Sequence, residues 1–456
     1  MTERLEKALK SATETRACVI GEHVLKDVPE LFREQFPDAK AVVVADATTF
    51  RVAGRTVQEA LAAAGLAGVA PVVFETAGLY AEMAHVERLE SALRPHACVP
   101  VAVGSGTIND LTKLAAHRCG RPYLCVGTAA SMDGYTAFGA SITAQGSKQT
   151  FTCPAPRAVV ADLDVLCKAP PEMTAAGYAD LMAKVVCGAD WMLADALGID
   201  PVDARAWEIV QGGLRAALAD PAGARAGDKR ALAALTEGLM LGGFAMQWTR
   251  TSRPASGAEH QFSHLWDMEH HTYRGAAPSH GFKVGVATRF VAALYEQALA
   301  EPFEVLDVAA AAGQWPDPAS AEARARALFA GTDFPELGVQ ETRAKNVSRA
   351  ALARQLETLR QGWPVLRERL QSQLFSSADV KRRLEAVGAP SEPEQIGISR
   401  ARLRGSVLRA QHIRRRFTVL DLAVRTGRLE AWLEGLFGPG RLWDVVGQKA
   451  RESEVG

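Results

Sequence analysis

The chain has 456 residues, 48% apolar and 23% charged, a balance that supports folded domains, excludes wholesale disorder and makes two domains the expectation. Its 52 Lys and Arg residues offset 52 Asp and Glu residues, so a zero net charge offers no pull toward nucleic acid or an anionic membrane. The expected partner is a small molecule.

The opening "MTERLEKALKSATETR" is charged, with apolar residues at helical spacing, and no apolar run approaches the roughly 20 residues of a membrane span. Nothing marks the chain for export. Cys18, Cys98, Cys119, Cys125, Cys153, Cys167 and Cys187 are scattered, odd in number and never spaced CxxC, which supports neither a disulfide framework nor a zinc ribbon and fits a reducing cytoplasm.

The first third alternates strands and helices. "AVVVADATTF" is a β-branched run reaching Asp46, "TVQEALAAAGL" is helical, and "GVAPVVFET" is strand-like again. An acid at a strand's carboxyl end either accepts hydrogen bonds from a ribose diol or caps the following turn. "CVPVAVGSGTINDLTKLAAHRCGRPYLCVGTAAS" then reads as strand, glycine turn, helix and strand, a βαβ unit with a parallel sheet. Gly104 and Gly106 permit close backbone approach, and the N–H groups from Thr107 to Asp110 open a helix toward a phosphate. The turn is neither GxGxxG nor a P-loop, so ATP hydrolysis through that device is disfavoured. After the next strand, "TAASMDGYTAFGAS" clusters Thr128, Ser131 and Asp133 in a loop where open sheets bind ligands or simply turn.

Beyond residue 167 helical periodicity takes over, and the paired Pro170 and Pro171 mark the boundary of two domains, 1–167 and 168–456. Residues 300–345 read as helices joined by long surface loops. The span 256–281, "SGAEHQFSHLWDMEHHTYRGAAPSHG", holds five of the ten histidines. His260 and His264 are one helical turn apart, and His280 opens the next helical pattern. Two or three imidazoles with one carboxylate make a catalytic metal site with an open position. Asp180, inside the apolar run "TAAGYADLMAKVVCGADW", is the candidate acid, its alternative being an intrahelical pair with Lys184. Residue 261 is Gln, which excludes the protease motif HExxH, and the adjacent His270 and His271 read as loop or surface residues.

In their order and separations, "GSGTINDLTK", "TAASMDGYTAFGAS", "GYADLMAK", "SRPASGAEHQFSH" and "HGFKVGV" resemble the metal-dependent dehydrogenase family of glycerol dehydrogenase, sn-glycerol-1-phosphate dehydrogenase and, more distantly, 3-dehydroquinate synthase. "SRPASGAEH" and the late "PEQIGISRARLRGSVLRAQHIRRRFTVLDLA" look like the bacterial glycerol-1-phosphate branch. The resemblance implies an N-terminal α/β Rossmann-like domain with a parallel sheet, an all-α C-terminal domain, NAD or NADP, a divalent metal (zinc before nickel or iron) and a homo-oligomer. It implies that Asp180, His260 and His280 hold the metal, with His264 beside it relaying a proton. It further implies that Gly104, Ser105, Gly106, Thr107 and Asp110 take the pyrophosphate, Asp46 the ribose, and Thr128 and Ser131 the nicotinamide side. Asp133 would meet the hydroxyls of a phosphorylated polyol or ketone, and Lys184 and Arg253 its phosphate.

The expected reaction is reduction of dihydroxyacetone phosphate to sn-glycerol 1-phosphate. The chain departs from its relatives at Phe282, where they commonly carry an acid, and in the length of 269–279 and 300–345. A cyclase like dehydroquinate synthase, which would regenerate its NAD in each turnover, is the enzymatic rival, and Asp rather than Glu at 180 leans away from it. A silent nucleotide or metal sensor is the other rival.

Overall fold

A computed structural model describes residues 2–76, 78–144 and 147–446. Eight strands occur among them in chain order: β1 (Ala17–Gly21), β2 (Lys40–Asp46), β3 (Val72–Phe74), β4 (Cys98–Gly104), β5 (Leu124–Gly127), β6 (Ala140–Ala144), β7 (Ser147–Phe151) and β8 (Ala158–Asp162). All precede residue 163, and the described residues after it form helices and connections.

Six strands form a parallel sheet in the order β1-β8-β5-β4-β2-β3, while β6 and β7 make an antiparallel pair. All seven residues of β4 are buried, which is why it reads as an unbroken apolar run rather than an alternating one. Its valines pack with Val43, Phe32, Val57 and Leu61 in the core of the sheet. From β2 the chain steps outward to β3, then returns past β2 to lay down β4, β5 and later β8 on the other side. Strand order therefore reverses between β2 and β4, and open α/β sheets bind ligands beyond the carboxyl ends at such a reversal.

Pro171 opens the helix Pro171–Ala196. The compact units interleave in sequence: Met1–Leu181, Ala204–Ala255 and Ala386–Ala389 form one, and Met182–Asp203, Ser256–Glu385 and Pro390–Gly456 the other. Gln247, on the helix Lys229–Thr249, shows what ties 204–255 to the strand-bearing unit. Its fully buried amide donates to Thr15 Oγ1 at 2.8 Å and to the Thr136 carbonyl at 2.6 Å, and accepts from the Glu14 and Thr15 amides.

The second unit is helical, with an aromatic core that includes Phe262, Phe290 and Trp443. In 300–345 the helices Val308–Gly313, Pro318–Phe329 and Pro335–Lys345 are joined by short connections, 314–317 and 330–334, so the expected long loops are absent there. Asp307 and Asp317 cap the first two helices, and prolines open the last two, so the Pro- and Asp-rich composition reflects helix starts. The seven cysteines are free, and burial pushes the Cys18 and Cys125 thiols up to about 12. No helix among the described residues is long and apolar enough to cross a membrane.

Candidate active site

In the strand-bearing unit, β2 pairs with β4 from Lys40 opposite Cys98 to Val44 opposite Ala102, and Asp46 and Gly104 are the last residues of the two strands. Gly104 ends β4, Ser105 is the N-cap residue, and the helix Gly106–Arg118 begins at once. Ser105 makes no side-chain cap, so the first-turn amides keep their partial positive charge for a ligand. A Cβ on Gly104 would stand 2.5 Å from Ile108 Cβ, so this glycine is required first by the packing of the helix onto its strand. At Gly106 a Cβ would meet only the flexible end of Met132 at 3.1 Å.

Asp46 caps the next turn, its Oδ1 accepting from the Thr48 and Thr49 amides at 2.8 and 2.9 Å while Thr49 Oγ1 accepts from the Asp46 amide. The capping role is therefore real, and Oδ2 stays outside it. Asp110 accepts from the Ser141 amide at 3.0 Å through Oδ2 and from Asn109 at 3.1 Å through Oδ1, joining the helix to β6. Thr128 is buried and its amide donates to the Gly104 carbonyl, which couples the ends of β5 and β4.

A residue outside the sequence reading organises the loop after β5. The Lys113 ammonium, 1% exposed, donates to the carbonyls of Gly134, Ala137 and Gly139 at 3.0, 2.8 and 3.1 Å and lies 3.8 Å from Asp110. A charge so buried needs several acceptors, and a loop supplies them where a helix would not. The only sequence cue was a lysine in the apolar run "LTKLAA". Gly177 brings the helix Pro171–Ala196 against the same loop: a Cβ there would stand 1.9 Å from the Ala130 carbonyl oxygen. One turn on, Asp180 is fully buried, and its Oδ2 accepts from the Asp133 amide at 3.1 Å. Ser131 and Asp133 are half-buried, and Arg253, in the short turn Arg253–Ala255, is 5% exposed.

In the helical unit, His260 and His264 lie on the helix Ala258–Met268, and His280 is the first residue of the helix His280–Ala300. Their ring centroids are 6.1 Å apart for His260 and His264, 5.2 Å for His260 and His280, and 6.0 Å for His264 and His280. Asp190 sets the start of the first helix: its Oδ2 accepts from the Ala258 amide at 2.7 Å, and its Oδ1 from Tyr295 and the Val419 amide. The ion pair of Lys283 with Asp267 ties the two histidine-bearing helices together. Lys184 is fully buried. His270 has an exposed side chain, but His271 is buried in the connection, its Nε2–H donating to the Ile396 carbonyl and its Nδ1 accepting from Arg402 at 2.8 Å. Of the two positions expected for His271, loop or surface, the loop is the one found, and the side chain turns inward from it. Adjacency stops two side chains sharing a helix face but does not stop one turning inward from a loop.

A carboxylate oxygen and two imidazole nitrogens fit a catalytic divalent site with positions left for substrate. Glu22, His23 and Asp164 come together, but they are exposed or half-exposed, and Lys229 already sits on Glu22 at 2.6 Å and Asp164 at 2.5 Å.

Residues 19–170 match the family described as iron-containing alcohol dehydrogenase. The chain is similar to the glycerol-1-phosphate dehydrogenase (NAD(P)+) of Halalkalibacterium halodurans, 35% identical over 61% of this chain and 70% of that one. The enzyme of that name from Bacillus licheniformis is 32% identical over 71% of this chain and 82% of its own. Among solved structures, glycerol dehydrogenase from Schizosaccharomyces pombe shares the fold with a TM-score of 0.59 at 16% identity, covering 93% of this chain and 91% of that one. A probable glycerol dehydrogenase from Sinorhizobium meliloti 1021 gives 0.58 at 16% identity, over 92% and 98%. The chain is therefore an oxidoreductase that belongs to the iron-containing alcohol dehydrogenase family and, within it, to the glycerol-1-phosphate dehydrogenases.

Proposed function

We propose that this chain catalyses the NAD(P)-linked interconversion of dihydroxyacetone phosphate and sn-glycerol 1-phosphate, with one divalent metal held by Asp180, His260 and His280. The observation that carries the proposal is the grouping of His260, His264 and His280 within the helical unit, their ring centroids 6.1, 5.2 and 6.0 Å apart, in a chain of this family. The relatives' names supply the substrate and the nucleotide.

When bound, the dinucleotide supplies the hydride and the ion polarises the ketone oxygen as a Lewis acid. The remaining work belongs to the chain. The uncapped amides of Ser105 to Thr107 face a pyrophosphate, helped by close backbone approach at Gly104 and Gly106, with Asp110 bracing the turn. Asp46 takes a ribose diol and repels a 2′-phosphate, which favours NAD over NADP. Thr128 and Ser131 lie on the nicotinamide side, Asp133 meets substrate hydroxyls, and Lys184 and Arg253 orient the dianionic phosphate. His264 passes a proton to the new alkoxide. Zinc is the preferred ion, although nickel and iron accept the same donors. The protein works in the cytoplasm as a homo-oligomer.

The test is to mix purified protein with dihydroxyacetone phosphate and NADH or NADPH, with and without a chelator, and to follow cofactor oxidation. Chelator-sensitive oxidation yielding sn-glycerol 1-phosphate is expected. Turnover indifferent to exhaustive metal removal, or none with any metal restored, overturns the assignment.

A further inference from the structure

Glu259, immediately before His260, is fully buried, and its Oε1 lies 2.7 Å from His260 Nδ1. The same oxygen accepts the Gly257 amide at 2.7 Å. An oxygen already receiving an N–H is an acceptor, so the imidazole must donate: His260 carries its hydrogen on Nδ1, which makes Nε2 the nitrogen that bears the in-plane lone pair. The other carboxylate oxygen, Oε2, is buried without a hydrogen-bond partner. A helix entry needing only one more acceptor would not call for a buried acid with one oxygen idle, whereas an imidazole that must keep one tautomer gains from a charged acceptor. Space for the carboxylate comes from Gly257, where a Cβ would stand 2.7 Å from Oε2.

We propose that Glu259 is a positioning residue for the metal site: it fixes the tautomer and ring orientation of His260 so that Nε2 faces the ion. The inference rests on the reading of His260 as a ligand and adds a carboxylate to the three residues assigned above. Glu259 does not itself touch the ion. Its effect is on affinity, because a ring free to flip or to place its hydrogen on Nε2 spends part of its time unable to bind.

The full-length protein, stripped of metal, is titrated with zinc against a chromophoric chelator for wild type, E259Q, E259L and H260A, each checked for a cooperative melt by circular dichroism. E259L is expected to bind zinc roughly 10–100-fold more weakly. E259Q, whose amide oxygen still accepts, should recover most of that loss. Independently of metal, 15N spectra of the stripped protein should show the His260 signal, identified by its absence in H260A, as the Nδ1–H tautomer in wild type and as a mixture in E259L. If H260A is weakened but E259L binds like wild type, or if wild type shows His260 protonated on Nε2, the role of Glu259 is refuted while the metal site stands. If H260A itself binds zinc like wild type, the ligand assignment falls and this inference falls with it.

Discussion

Replacing Gly177 by alanine puts a methyl group 1.9 Å from the carbonyl oxygen of Ala130 and 2.7 Å from its carbon. Ordinary contact begins near 3.4 Å, so helix and loop must part by about 1.5 Å, and the obstacles are backbone atoms of Ala130 and Ser131 that no rotamer change can move aside. Glycine to alanine inside a helix otherwise stabilises by about 1 kcal/mol, whereas overpacking costs about 1–3 kcal/mol. The net expectation is a loss of up to about 2 kcal/mol. The displaced loop carries Ser131 and Asp133, and the 3.1 Å bond from the Asp133 amide to Asp180 would open. A misplacement of about 1 Å near reacting groups costs on the order of 100-fold, so kcat/KM should fall by about that factor. Gly362, on the helix Arg349–Gln373, is the control, because a Cβ there meets nothing within 4 Å and G362A should gain stability. Urea unfolding and steady-state NADH oxidation measure both variants. A G177A protein as stable and as active as wild type would refute the reasoning, since the sign of the stability change separates collision from propensity.

Removing His280 as H280A should abolish metal retention, measured by elemental analysis after desalting, and leave NADH binding by fluorescence intact; retained metal counts against the ligand set. K113M strands three carbonyls on the loop after β5 and should cost roughly 2–4 kcal/mol in urea unfolding. Hydrogen exchange should rise first at 134–139, and unchanged protection there would show that the lysine does not pin the loop. Burial and the nearby Lys345 ammonium depress His412 to about 4. The unfolded chain therefore binds the extra proton first as acid is added, and stability should fall by up to about 3 kcal/mol between the ordinary histidine value near 6.5 and about 4. H412N should flatten that part of the unfolding profile, and an unaltered slope would assign the acid sensitivity elsewhere.

The βαβ unit, the glycine turn and the spacing of His260 and His264 were legible because each is local: period, turn chemistry and helix geometry act over a few residues. The pairing of β1 with β8 was not, since it joins Ala17–Gly21 to Ala158–Asp162 and short apolar runs do not say which other run they meet. The interleaving of 204–255 with the strand-bearing unit escaped for a related reason. Helical periodicity reports that a face is buried and not what buries it. Glu259 was overlooked because helix-face reasoning searches three and four residues away, while this carboxylate reaches the neighbouring imidazole across the first turn. Gly104 was read for ligand approach, although Ile108 alone would demand a glycine there.

Asp46 bears on any attempt to re-engineer coenzyme choice. Stripping its charge to admit a bulkier, more anionic nucleotide with alanine would also unfasten the Thr48 and Thr49 amides, so a redesigned protein could lose its fold locally before its selectivity could be judged. Serine, which ends a helix start nearly as well and carries no charge, is the substitution that separates the two duties of this one side chain.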